Sequence, residues 1–141
     1  MQIPEFIFLS LIVFLFLLYR AYYWYMATRR MEAKYWRSEL GASSIPHGYI
    51  YAFFDPADPY RVKWGKSINW QRRMKQHQTA NAEKLQVICI VGVRDMTWAE
   101  KYVHRMWSES KVNLNGGTEW FKASRAMNDF VNRITDPIEE W

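Results

Sequence analysis

Gly48-Tyr49-Ile50-Tyr51-Ala52-Phe53-Phe54, then Asp55-Pro56-Ala57-Asp58-Pro59, then Tyr60-Arg61-Val62-Lys63-Trp64-Gly65: the fold is decided in this stretch. Its two flanks are aromatic and β-branched, which suits a pleated, half-buried surface. The Asp/Pro cluster between them is turn chemistry. Together they predict a β-hairpin. Downstream, Ser67 or Asn69 is placed to cap a helix running to about Gln78. Leu85–Val93 (LQVICIVGV) has the continuous apolar pattern of a strand buried on both faces. Trp98, Ala99, Tyr102, Val103, Met106 and Trp107 recur at helical spacing and predict a helix over Thr97–Ser110. Asn115-Gly116-Gly117 reads as a turn, followed by an extended Glu119-Trp120-Phe121 and a last helix to about Ile134. This order predicts a small α/β (α+β) domain, a three-stranded, mostly antiparallel sheet flanked by helices.

Upstream, the chain changes character. Phe6 to Tyr19 is apolar except for Ser10, and the run continues past Arg20 as Ala21, Tyr22, Tyr23, Trp24, Tyr25 and Met26. With Arg20 snorkelling to the headgroups, the whole reaches the roughly 20 residues needed to cross a bilayer core. The Tyr/Trp cluster suits a membrane interface, and Arg29, Arg30, Lys34 and Arg37 follow it. The one-sided basic distribution places the C-terminal part in the cytoplasm, on an inner or other cytoplasm-facing membrane. The segment lacks the basic start and small-residue cleavage site of a signal peptide. It is apolar all round, unlike an amphipathic core helix. The expected organisation is a transmembrane anchor at 1–26, a juxtamembrane helix and small-residue linker at 27–46, a folded domain at 47–134 and an acidic tail at 135–141.

Bulk composition narrows the function. The chain has 141 residues, room for one domain, and its 18% aromatic content excludes disorder. A net charge of +5 favours anionic partners, either nucleic acid or lipid. Cys89 is the only cysteine, which excludes an intramolecular disulfide and a multi-cysteine zinc site. Within its apolar run it reads as a small core residue.

Five pieces carry the chemistry. Tyr49-Ile50-Tyr51 follows Gly48; Val62-Lys63-Trp64-Gly65-Lys66-Ser67 forms the second; Arg72-Arg73-Met74-Lys75-Gln76-His77 the third; Ala99-Glu100-Lys101 the fourth; Glu119-Trp120-Phe121 the last. In this order the chain resembles the GIY-YIG endonuclease superfamily, in particular the phage, bacterial and fungal subgroup with a K-I-G second motif. The resemblance implies a DNA endonuclease. It implies Tyr51 as general base or water-orienting group, Lys63 in the place of the second motif's tyrosine, and Arg73 on the scissile phosphate. It further implies His77 one turn later, Glu100 as the metal ligand and Glu119, or Asn115, at the final position. Taken singly, Tyr51 reads as a core tyrosine, Arg73 as a solvated helix residue and Glu100 as a partner for His104.

The residue types suit the reaction. Phosphodiester hydrolysis needs an activated water and stabilisation of phosphate charge. Arginine offers a planar fork matched to phosphate oxygens. Mg²⁺ (or Mn²⁺) needs only one or two carboxylates, so Glu100 suffices. Arg61, Lys66, Arg72 and Lys75 supply further cations for a DNA backbone. The expectation is a membrane-anchored, metal-dependent DNA endonuclease with DNA and the bilayer as partners and no small-molecule cofactor. The other reading is an inactive, membrane-tethered DNA-binding module.

Overall fold

In the computed structural model the described residues are 4–114 and 117–141, the side chains at 113–114 and 117–119 excepted. The elements run α1 (Glu5–Leu40), β1 (Gly48–Asp55), β2 (Asp58–Ser67), α2 (Trp70–Gln78), β3 (Gln86–Val93), α3 (Met96–Met106), a 3-10 turn at Ser108–Ser110, β4 (Lys111–Leu114), β5 (Gly117–Lys122) and α4 (Arg125–Ile134). The strand order is β3-β1-β2-β5-β4, with every neighbouring pair antiparallel. The fold is α+β, and β1 and β2 form the expected hairpin. The sheet has five strands among the described residues, not three. The two extra strands are made by pairing rather than by composition. β4 is four residues long, and Lys111 and Asn113 dilute its apolar signal. The expected extended piece Glu119–Phe121 lies inside β5, where Phe121 pairs with Val62 and is fully buried.

Each sheet face has its own core. Ile50, Ala52, Val62, Trp64, Cys89, Val91 and Val93 point to one side, against Ala99 and Val103 of α3 and Met127, Phe130, Val131 and Ile134 of α4. Cys89 is buried there, and desolvation pushes its thiol far above the ordinary range, consistent with an inert core residue. Tyr51, Phe53 and Ile90 point to the other side, against Trp70 and Met74 of α2. The caps follow side-chain chemistry: Asn69 accepts from the Arg72 amide, Asp95 from Trp98 and Ser124 from Met127.

α1 is 36 residues of unbroken helix, about 54 Å long at helical rise. It is long and apolar enough to cross a membrane, and the side chains from Phe6 to Tyr25 lack cover within the chain. Its last turns are different. Trp36 meets Phe130 edge-on at 5.5 Å, and Leu40 is buried in the α4-side core. Arg37 donates to the Ile134 carbonyl at 2.6 Å and pairs with Asp136 at 2.8 Å; Arg133 pairs with Glu32 at 3.0 Å. Gly41, at φ 70°, ends the helix in the left-handed conformation that glycine adopts without strain.

Residues 41–46 then lie along the outer edge of β3. Ala42 bridges to Val93, the Ser43 amide donates to the Gly92 carbonyl, and the Arg94 amide returns to the Gly41 carbonyl. Pro46 comes so near that a Cβ on Gly92 would stand 2.9 Å from it. From the other end of the chain, the Asp136 amide donates to the Ile90 carbonyl at 2.7 Å and its carboxylate accepts from the Gly92 amide at 2.8 Å. The edge strand is thereby covered rather than left as a template for association.

Candidate functional site

The site begins at one backbone pairing, Tyr51 opposite Gly65 in the β1–β2 ladder. Residues directly opposite in an antiparallel pair share a face. The Tyr51 ring lies across Gly65 so closely that a Cβ there would stand 2.5 Å from the hydroxyl. Glycine at 65 is thus what lets a buried tyrosine carry its hydroxyl over β2. Its Oη stands 3.2 Å from Nε2 of His77, on the last turn of α2. Phe53 holds the same imidazole at 5.0 Å between ring centres. Burial first, then the positive charges of Lys63 and Arg73, hold the His77 pKa down to about 4. The ring is therefore neutral near pH 7, with one nitrogen free to accept a hydrogen bond.

The second half of the site comes from the opposite face. Among the described residues β5 pairs with β2 only over Arg61–Lys63. Beyond that point the β2 edge turns to side chains: His104 of α3 places Nε2 3.2 Å from the Trp64 carbonyl. Glu100 precedes His104 by one helical turn, on the same side of α3. Lys66 Nζ donates to Thr97 Oγ1 at 3.1 Å, tying the end of β2 to the first turn of α3. Between these elements opens a cleft of about 620 Å³ lined by Tyr51, Gly65, Lys66, Arg72, Arg73 and Glu100, with Ser67, Asn69 and Gln76 on its walls.

The cleft thus brings together Tyr51, Arg73 and Glu100, which lie far apart in sequence, along with Lys66 and Arg72. His77 touches it through the Tyr51 hydroxyl. Lys63 stands behind, over the Trp120 ring at 5.7 Å, and reaches the site through its charge on His77. Arg61 is near the start of β2, 3.4 Å from Asp58, and Lys75 lines a separate groove with Lys84 and Trp141. Neither joins the cleft. The Glu119 side chain and all of Asn115 lie outside the described residues. Sequence reasoning missed Gly65 as the device that admits Tyr51. It also missed Gln76, whose Oε1 accepts from Arg73 at 3.1 Å and fixes the direction of that guanidinium.

The donor set suits one kind of ion. Among the described residues no three His, Cys, Asp or Glu side chains gather, which argues against a closed tetrahedral zinc site. Glu100 is the carboxylate on the cleft wall. A hard cation that keeps most of its waters and shares one carboxylate with a substrate phosphate fits that arrangement.

No curated protein and no solved structure matches the chain. One family model does, that of the T5orf172 domain, over residues 48–141. This overturns the resemblance to the GIY-YIG superfamily, for which no match is found. The five pieces behind that resemblance are short, and each is also what an aromatic hairpin, a basic helix and an amphipathic helix would contain; their order alone did not discriminate. The match covers the sheet, all the helices after α1 and the whole cleft, a domain of endonuclease-like, DNA-associated type. The chain belongs to the T5orf172 domain family.

Proposed function

We propose that the protein is a metal-dependent DNA endonuclease held by α1 at the cytoplasmic face of a membrane, where it hydrolyses phosphodiester bonds of DNA close to the bilayer, incoming foreign DNA being one such substrate. The observation that carries the reading is the convergence of Tyr51, Arg73 and Glu100 on one polar cleft. Arg73, steadied by Gln76, is positioned to grip phosphate oxygens, and Lys66 and Arg72 extend the positive wall along a strand backbone. In the tautomer of neutral His77 that leaves Nε2 unprotonated, the Tyr51 hydroxyl 3.2 Å away donates to it, which would turn the oxygen's lone pairs toward the cleft to orient a water for in-line attack. Burial first, and then the charges of Lys63 and Arg73, keep His77 neutral. Glu100 would hold Mg²⁺ or Mn²⁺, which when bound supplies Lewis-acid stabilisation of phosphate charge.

The proposed organisation is an anchor over 1–26, a juxtamembrane segment over 27–46 whose helical turns pack on the domain, the catalytic domain over 47–134 and a tail over 135–141 whose first residues bond to β3. Plasmid nicking by the full chain in detergent, with Mg²⁺ and with EDTA, tests the activity. Nicking that EDTA abolishes supports it. Binding without nicking under any divalent ion would replace it with a tethered DNA-binding module.

A further inference from the structure

The part of α1 that leaves the apolar segment has two opposed faces. One, carrying Trp36, Arg37 and Leu40, is taken up by α4 and its surroundings, and Glu32, paired with Arg133, stands at the boundary between the two. The other carries Trp24, Thr28, Met31 and Tyr35. On it Trp24, Met31 and Tyr35 remain 74%, 72% and 56% exposed, flanking a mostly apolar groove of about 600 Å³. Their spacing is four, three, four residues, the alternation of a coiled-coil seam. The same alternation runs back unbroken through Ala21 and Leu17 into the apolar segment.

We propose that α1 pairs with α1 of a second copy, in parallel and in register, across Trp24, Thr28, Met31 and Tyr35. Charge complementarity selects this occupant. With Thr28 and Tyr35 at the a positions and Met31 at d, exposed Lys34 falls at g and exposed Glu39 at the following e. In a parallel pair each g position faces the following e position of the other helix, so Lys34 meets Glu39 of the second copy, twice by symmetry. Lipid does not account for the stripe. Tyr35 lies about 16 Å along the axis beyond Trp24, outside the interfacial zone that suits the Trp24 ring. The inference goes beyond the proposed activity and rests on it only for the anchored orientation, which aligns two chains and raises their effective concentration. Two clefts side by side would give one for each strand of a duplex.

The test is oxidative cross-linking of the full chain in membranes, with single cysteines added to the chain; native Cys89 is buried. Met31→Cys and Tyr35→Cys should give disulfide dimers. Arg30→Cys, beside the α4 face, should stay monomeric. Lys34→Glu should lower the Met31→Cys yield several-fold, and Glu39→Lys added to it should restore the yield. These substitutions sit on exposed positions, so folding is retained. Equal yields at 30 and 31, monomers throughout, or no restoration by the double reversal would overturn the pairing. Alkaline extraction of the same membranes reads the anchor separately, and cleavage assays read the activity, so failure of either is distinct from failure of the pairing.

Discussion

At the scale of residues, the cleft is built around Tyr51. Arg73 and Arg72 both line the cleft although they point about 100° apart on α2. They differ in what they touch: Arg73 is held by Gln76 and acts on His77. Arg73→Lys should lower cleavage about a hundredfold with the fold intact, because an ammonium cannot reproduce a bidentate grip. Arg72→Lys should cost far less, chiefly in DNA affinity. Equal losses in a nicking assay would move the phosphate site to the cleft rim. His77 gives a pH prediction. Its folded pKa of about 4 lies below the ordinary 6.5, so as pH falls the unfolded chain takes up the proton first. Stability from this group is fully present above 6.5 and is lost as pH falls toward 4. The His77 ring resonance in NMR should accordingly stay unprotonated through the neutral range, and Lys63→Ala should move its midpoint upward. Tyr51, Arg73 and Glu100 were singled out through the order of the five motif pieces, since each taken singly reads as an ordinary core or surface residue; only Arg73 with His77, one turn apart on α2, shows in the pattern itself. Gly65 and Gln76 could not be singled out, since their roles exist only once β1 and β2 are paired and α2 is turned against them.

At the scale of elements, the hairpin and β3 were legible from their aromatic and β-branched runs and turn residues, α2 from its cap and α3 from its apolar stripe, and a last helix ending near Ile134 was expected as well. β4 was not legible, and β5 was legible only as the extended piece Glu119–Phe121, because their place in the sheet comes from the pairing of short, partly polar segments. The stretch 41–46 illustrates the same limit. Its small residues are linker chemistry, yet its backbone is bonded to β3, an arrangement that depends on Gly92 admitting Pro46. Leu40, Trp36 and Arg37 make the end of α1 part of the domain's core. Leu40→Ala should therefore destabilise the domain by about 2–4 kcal/mol, through a cavity beneath α4. A fragment of residues 41–141 should melt well below one of residues 27–141. Identical melting curves for the two fragments would show that the helix end rests on the domain without stabilising it.

At the scale of the whole molecule, an apolar helix and a cleft-bearing domain are joined with no flexible spacer between them, since the last turns of α1 pack on α4. With α1 as the proposed anchor, the cleft would be held at a defined distance from the bilayer rather than roaming around it. The proposed cytoplasmic orientation rests on the basic residues after the apolar segment: protease added to right-side-out vesicles should spare residues 41–141, and protease added to inside-out vesicles should digest them. Digestion in the right-side-out preparation would reverse the topology. The central claim is that the cleft cuts DNA with help from an ion on Glu100, and Glu100→Gln tests it most directly because it keeps the shape and removes the charge. Nicking of supercoiled plasmid in Mg²⁺ should fall by two orders of magnitude or more, while metal-free DNA binding by the same protein is unchanged or tighter, one negative charge near the phosphates having gone. Nicking by Glu100→Gln at the parent's rate would contradict the account.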